Sequence, residues 1–332
     1  MKTAKIIGLG SYFPKKTLLN KDFENFLKTT DEWIVSRTGI NERRIASKNE
    51  TTSEMGYLSS LKALEDAKIG IKDIDLILVA TLTGDYIFPS TACIIQDKLK
   101  AYHAAAFDIQ AACSGFVYAL TVAKALVEQK TFKNILIVAS EKLSSIIDYQ
   151  DRATAVLFGD AASSCIVSLE GFGFEIIENY IGADGKMAKL LIMPAGGTKN
   201  ISTIQTIENR DHFLKMNGKE VFKHAVKRMH ESIIKCLKKA SLNERDISWI
   251  VPHQANQRII EAISKKFKFL PSNRIYMEVV KKFGNTSASS VGLALEDLKI
   301  NKKFSNNENI VLTVFGAGFT FGSSLLKFKD NK

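Results

Sequence analysis

Proline, histidine and cysteine are all scarce in this 332-residue chain, at 5, 5 and 4 residues. With few prolines and 45% apolar residues, a large interior can be buried. Cys93, Cys113, Cys165 and Cys236 lie far apart and form no CxxC pair. That spacing excludes a zinc ribbon and argues against a disulfide framework. No run reaches the roughly 20 apolar residues of a membrane span. No dense basic run is interleaved with aromatics, so nucleic acid is a poor partner. No small-residue cleavage site follows the basic start, and glycines and Pro14 interrupt it, so it reads as a first β-strand rather than a signal peptide. The expected compartment is the cytoplasm.

What is present begins with length and charge. The chain is long for one simple domain and suits two fused halves around a shared core. Its formal charge of +11 favours an acidic partner. Lysines are scattered along the whole chain, however, and compositional drift supplies part of that charge.

A faint duplication runs through the sequence. Ala67–Val79 can be set against Ala240–Pro252, with Asp73 and Asp246 separated by 173 positions. Each segment follows an amphipathic helix, Thr51–Ala67 or Val221–Ala240, and enters a buried strand, Ile74–Ala80 or Ile247–Val251. Nearly the same offset relates Phe107–Leu120 to Lys282–Leu295, two stretches of small residues opening helices. It also relates Asn134–Ser140 to Asn309–Phe315. The repeated order of helix, strand, buried helix and strand predicts an α/β fold of layers with buried sheets, made of halves 1–172 and 173–332. The irregular, polar region Gly171–Asn217 holds the expected boundary.

Cys113 is followed by strong helix formers, which places it at a strand-to-helix junction. There the helix dipole and unpaired amides favour thiolate and lower a pKa from about 8.5. Locally, a nucleophile and a core cysteine fit equally well. The other three cysteines read as small buried hydrophobes. His253 follows a buried strand in Val251-Pro-His-Gln-Ala-Asn256, where a polar cluster serves no packing purpose. His103, His212, His224 and His230 lack that setting. Asn285, expected to end a strand-like approach, reads by itself as a turn or N-cap residue.

Six separated stretches resemble β-ketoacyl-acyl-carrier-protein synthase III: Thr30–Ile40, Phe88-Pro-Ser, Ala111–Phe116, Phe158-Gly-Asp-Ala161, Val251–Asn256 and Gly284–Ala288. Phe315–Gly322 is similar too, and the likeness runs in order along nearly the whole chain. The resemblance implies a thiolase-like fold with αβαβα layers. It implies a decarboxylative condensation of a short acyl-CoA, expected to be acetyl-CoA, with malonyl-acyl carrier protein (malonyl-ACP). Cys113 would carry the acyl group as a thioester, and His253 and Asn285 would donate to the enolate oxygen. Backbone N–H groups of Cys113 and of Ala317, in the Gly316-Ala-Gly318 turn, would form a second oxyanion hole. Many relatives have three glycines in that turn, so a left-handed backbone there would disfavour Ala317.

The same resemblance implies that Trp33 and Arg152 sandwich the adenine of coenzyme A, with Arg37 near its phosphates. Gly218, Phe222, Ala255 and Asn256 match positions along the pantetheine channel. Arg258, Lys265 and Lys266, on a helix beginning near Gln257, match the surface that docks acyl carrier protein. A plain solvated helix face explains the two lysines equally well. Phe88 matches the residue shaping the far end of the acyl pocket across a homodimer. No metal or prosthetic group is implied, since the coenzyme A thioester is a substrate.

Alternatives differ in specific residues. A specialised acyltransferase of the same family would not depend on malonyl-ACP. A papain-like protease shares the Cys–His–Asn order but needs a Cys-Gly-Ser-Cys-Trp type segment, which is lacking. A thiolase would carry a second reactive cysteine in the C-terminal turn. A chalcone-synthase-like enzyme would have Gly-Phe-Gly-Pro-Gly there. A binding homologue without catalysis would have lost one of the three site residues.

Overall fold

A computed structural model describes residues 2–330. Among these, nine strands make one mixed sheet: β1 (Lys5–Tyr12), β2 (Leu76–Ala80), β3 (Ala105–Ile109), β4 (Asn134–Glu141), β5 (Ala161–Ser168), β6 (Gly173–Ala183), β7 (Trp249–Pro252), β8 (Asn309–Gly316) and β9 (Thr320–Lys329). Their order across the sheet is β7-β8-β9-β6-β1-β5-β4-β2-β3. The seven longest helices are α1 (Asp31–Thr38), α2 (Thr52–Ala67), α3 (Thr91–Leu99), α4 (Gly115–Glu128), α5 (Gly218–Lys239), α6 (Gln257–Ser264) and α7 (Ser289–Asn301).

The strand pattern repeats about the turn between Ser168 and Gly173. In the first half β2 and β4 are parallel, and β5 and β1 follow antiparallel. In the second half β7 and β8 are parallel, and β9 and β6 follow antiparallel. Where β3 pairs parallel with β2, the second half keeps only a bridge from Ile250 to Ile275. The halves join through Lys5–Glu175 and Ile6–Phe174.

Helices cover both faces because strands such as β2, β4 and β5 are buried along their whole length. α2 and α3 lie outside the first half, α5 and α6 outside the second, and α4 and α7 lie between. This is the expected five-layer order. Close packing in the middle layer needs small residues. A Cβ added to Gly292 would stand 2.4 Å from Ser163 Oγ and 2.8 Å from the Phe116 ring.

Several expected boundaries move. α5 starts at Gly218 rather than Val221, because the Asn217 side chain caps it by accepting the Glu220 N–H. The stretch Gly171–Asn217 is not irregular throughout. Its first part is β6, a long strand gripped by β9 and β1. Irregular backbone begins only at Asp184 and leads over the site described next.

Candidate active site

Cys113 is reached through a short turn rather than straight from a strand. β3 ends at Ile109, Ala112 adopts a left-handed backbone (φ 45°), and a 3₁₀ turn over Ala112–Ser114 leads into α4. Gly316, at the end of β8, comes so near that an added Cβ would lie 2.8 Å from the Cys113 nitrogen. Only glycine fits there. The expected lowering of the thiol pKa is not found. Burial pushes Cys113 up to about 12, a hydrogen bond from Ser287 opposes that, and the Glu141 charge adds to it. Exclusion of water outweighs the local dipole, so the resting group is a thiol.

His253 follows β7, its N–H donating to the Thr313 carbonyl at 2.8 Å. Its Nδ1 lies 2.5 Å from Ser290 Oγ, which also accepts the Gln254 N–H at 3.2 Å. In the tautomer where Ser290 gives its proton to Nδ1, Nε2–H is the donor on the ring's other side. Burial drops the His253 pKa to about 3, so the imidazole is neutral.

Asn285 is approached by a short helix, Glu278–Phe283, and Gly284 (φ 64°), not by a strand. Its backbone is clamped: N–H donates to the Leu157 carbonyl at 2.8 Å, and its carbonyl accepts the Gly159 N–H at 3.0 Å. The Phe158-Gly-Asp motif thus holds Asn285, while Asp160 accepts from Ala46 N–H and from the Ser144 N–H and hydroxyl. Oδ1 of Asn285 accepts the Ser287 N–H at 2.9 Å. Its amide NH₂ remains as the donor. Asn285 does not cap α7, whose N-cap is Ala288.

Cys113, His253 and Asn285 line one cavity of about 340 Å³. Trp33, Arg37, Gly218, Phe222, Ala255 and Asn256 line it as well. Arg152 does not, but its guanidinium carbon lies 4.4 Å from the centroid of the Trp33 ring. Asn256 is occupied in bracing the wall: Oδ1 caps α6 at Arg258 N–H (2.9 Å) and Nδ2 donates to the Arg37 carbonyl (3.2 Å). Ala317 lines the cavity too, and the left-handed backbone falls on Gly318 (φ 128°), so alanine is unstrained.

Phe88 lies away from the cavity and is 84% exposed, beside Ile87 at 92%. Arg258 is exposed on α6, but the helix stops at Ser264, so Lys265 caps it and Lys266 lies beyond. Proline-free sequence alone gave no stop signal there. Sequence reasoning passed over Glu141, Ser287 and Ser290, which hold the site from behind. An acidic residue closing an apolar strand was the available signal for Glu141.

A buried cysteine facing a neutral histidine and a fixed asparagine, in a five-layer duplicated fold, defines a thiolase-like condensing enzyme. The family of 3-oxoacyl-[acyl-carrier-protein] synthase III matches residues 107–185, and its C-terminal region matches 237–328. The beta-ketoacyl-[acyl-carrier-protein] synthase III of Chlamydia trachomatis serovar D is 48% identical over 98% of this chain and 99% of its own. The crystal structure of 3-oxoacyl-[acyl-carrier-protein] synthase III from Aquifex aeolicus VF5 has TM-score 0.89 at 39% identity, covering 98% of this chain and 100% of that one. A priming beta-ketosynthase of the R1128 polyketide pathway has TM-score 0.89 at 33% identity, covering 100% and 98%. The chain belongs to the β-ketoacyl-acyl-carrier-protein synthase III family. It is an acyltransferase of the kind that starts fatty-acid synthesis by condensing an acyl-CoA with malonyl-ACP. No helix among the described residues is long and apolar enough to cross a membrane.

Proposed function

We propose that Cys113 takes a short acyl group, acetyl first, from coenzyme A and that His253 and Asn285 drive its condensation with malonyl-ACP. The observation that carries this is the pair of neutral donors, fixed by Ser290 and Ser287, on the cavity that holds the thiol. Loss of carbon dioxide from the malonyl thioester leaves an electron pair that becomes an enolate. His253 Nε2–H and Asn285 Nδ2–H stabilise its oxygen without needing a charged residue. The enolate carbon then attacks the Cys113 thioester. The tetrahedral oxygen is held by the backbone N–H groups of Cys113 and Ala317, and collapse returns the sulfur.

Trp33, Arg37 and Arg152 receive the nucleotide end, and Gly218, Phe222, Ala255 and Asn256 guide the pantetheine arm. Arg258, with Lys265 and Lys266, meets the acidic carrier protein, a role that the net charge of +11 supports. The working unit is a homodimer in the cytoplasm. β3 is an unpaired edge that exposes Ala105 and Phe107, with exposed Tyr86, Ile87 and Phe88 on the turn before α3. Such an edge calls for a partner. In the dimer Phe88 closes the far end of the partner's acyl pocket.

The polyketide-priming relative favours one second reading, a primer other than acetyl. Intact-mass measurement decides between them. The protein is incubated with acetyl-, butyryl- or isobutyryl-CoA, then with malonyl-ACP, with Cys113→Ala as control. An acyl mass that appears and then leaves as β-ketoacyl product supports the reading and identifies the primer. Acylation that malonyl-ACP leaves untouched refutes the condensation role.

A further inference from the structure

In Val251-Pro-His-Gln-Ala-Asn256, Gln254 is the polar residue to which the reaction gives no part, and it is wholly buried. A buried amide is costly unless its polar atoms are paired. Here they are. Nε2 donates to the Pro252 carbonyl (2.8 Å) and the Tyr276 carbonyl (3.0 Å), and Oε1 accepts the Val280 N–H at 3.3 Å. Turning the amide over would set donor against donor and oxygen against two carbonyls, so these partners fix its orientation.

The partners belong to two different elements. Pro252 closes β7, which carries His253, whereas Val280 lies in the first turn of the short helix Glu278–Phe283, which leads to Asn285. The N–H groups of a first turn have no partners inside their own helix. Met277, just before it, supplies no side-chain cap, and the Gln254 oxygen takes one of these N–H groups instead. The helix closes with Gly284 N–H donating to the Val280 carbonyl at 3.0 Å, and Asn285 follows. Beyond Asn285, Ser290 Oγ accepts the Gln254 N–H and meets His253 Nδ1. The His253-Gln254 pair is therefore fastened to the chain both before and after Asn285.

We propose that Gln254 is a positioning residue that sets the spacing between the His253 and Asn285 donors of the enolate site. Two donors stabilise one oxygen only when both reach it together, and each arrives on its own element. Ser290 ties those elements at the imidazole, and Gln254 ties them through the backbone at Tyr276 and Val280. An apolar side chain of similar length would fill the space but leave the helix start free to shift against β7. This inference rests on the enolate-holding role proposed above for His253 and Asn285.

The test compares acylation and decarboxylation in Gln254→Met, which keeps the length and loses the hydrogen bonds. Decarboxylation of malonyl-ACP is expected to fall about 30-fold in kcat with KM within about twofold, because a misplaced donor costs less than a missing one. Acylation from acetyl-CoA, read by intact mass, should stay within about threefold of wild type. In an Asn285→Ala background no second donor is left to position, so Gln254→Met should cost less than about threefold more. Gln254→Leu replaces the Met variant if that one does not fold. Equal losses in acylation and decarboxylation would overturn the inference, as would the full loss added on top of Asn285→Ala. Failure of both Gln254 variants to fold would mark a purely structural bracket and overturn it too. Asn285→Ala that decarboxylates at the wild-type rate defeats the enolate-holding role itself, whereas a slow Asn285→Ala beside an unimpaired Gln254→Met defeats this inference alone.

Discussion

The Arg152 guanidinium lies on the Trp33 indole, 4.4 Å from cation carbon to ring centroid, where the adenine of coenzyme A is proposed to enter. A base cannot fit between groups that already touch. Arg152 also donates to the Lys28 carbonyl at 2.8 Å, which ties the pair to the segment before α1. Binding must exchange one stacked contact for two. Trp33→Ala is therefore expected to raise KM for acetyl-CoA about fivefold with kcat nearly unchanged, since one cation–π or stacking contact contributes about 1 kcal/mol. Coenzyme A should also change the fluorescence of Trp33 while leaving buried Trp249 unaffected. A kcat loss larger than the KM change would place Trp33 elsewhere in the mechanism.

Ser290→Ala removes the side-chain partner of His253 Nδ1. Decarboxylation of malonyl-ACP is expected to fall about 100-fold, in the range of losing one oxyanion donor, while acylation of Cys113 persists. Measuring the two half-reactions separately checks this.

The turn beside the sulfur yields opposite expectations at adjacent positions. Gly316→Ala forces a Cβ to within 2.8 Å of the Cys113 nitrogen and 3.0 Å of the Ser114 nitrogen, so both half-reactions should drop at least about 100-fold. Ala317→Gly should stay within about threefold of wild type, because Ala317 has an ordinary backbone. Steady-state kinetics of the pair decides.

Two buried groups give stability opposite slopes with pH. His253 titrates near 3 in the folded protein against 6.5 unfolded, so it contributes stability above 6.5 that is lost as pH falls through that window. Glu141 titrates near 7 against 4.5, so its contribution is present below 4.5 and is lost as pH rises to 7. Urea midpoints between pH 4.5 and 6.5 should therefore rise more steeply with pH in Glu141→Gln than in wild type. His253→Gln should flatten or reverse the slope. The difference between the two variants across the window should be on the order of a few kcal/mol.

Phe107→Lys on the β3 edge, the dimer seam proposed above, is expected to give a monomer in sedimentation where wild type gives the proposed dimer. Charge on an open strand opposes pairing. Acyl transfer should weaken with it if Phe88 completes a partner's pocket. A Phe107→Lys protein that sediments as wild type would exclude this edge as the interface.

The likeness of Ala111–Phe116, Val251–Asn256 and Gly284–Ala288 to one family sufficed to assign fold and reaction class, because each motif is local. A glycine at 316 or a histidine after an apolar strand is visible without coordinates. The matching apolar runs Asn134–Ser140 and Asn309–Phe315 were visible as well, and both are buried strands, β4 and β8.

Other features depend on residues far apart in the chain meeting in space. The thiol pKa was misjudged because burial is a sum over many elements, and it overrides the dipole of one helix end. The strand expected before Asn285 is a helix, since a clamp from Leu157 and Gly159 supplies the extended backbone that local sequence did not. Glu141, Ser287 and Ser290 gained meaning only when β4, β7 and the start of α7 converged. Sequence singled out Cys113, His253 and Asn285 as candidates; packing brought them onto one cavity and decided their protonation, because water exclusion exists only in the folded chain.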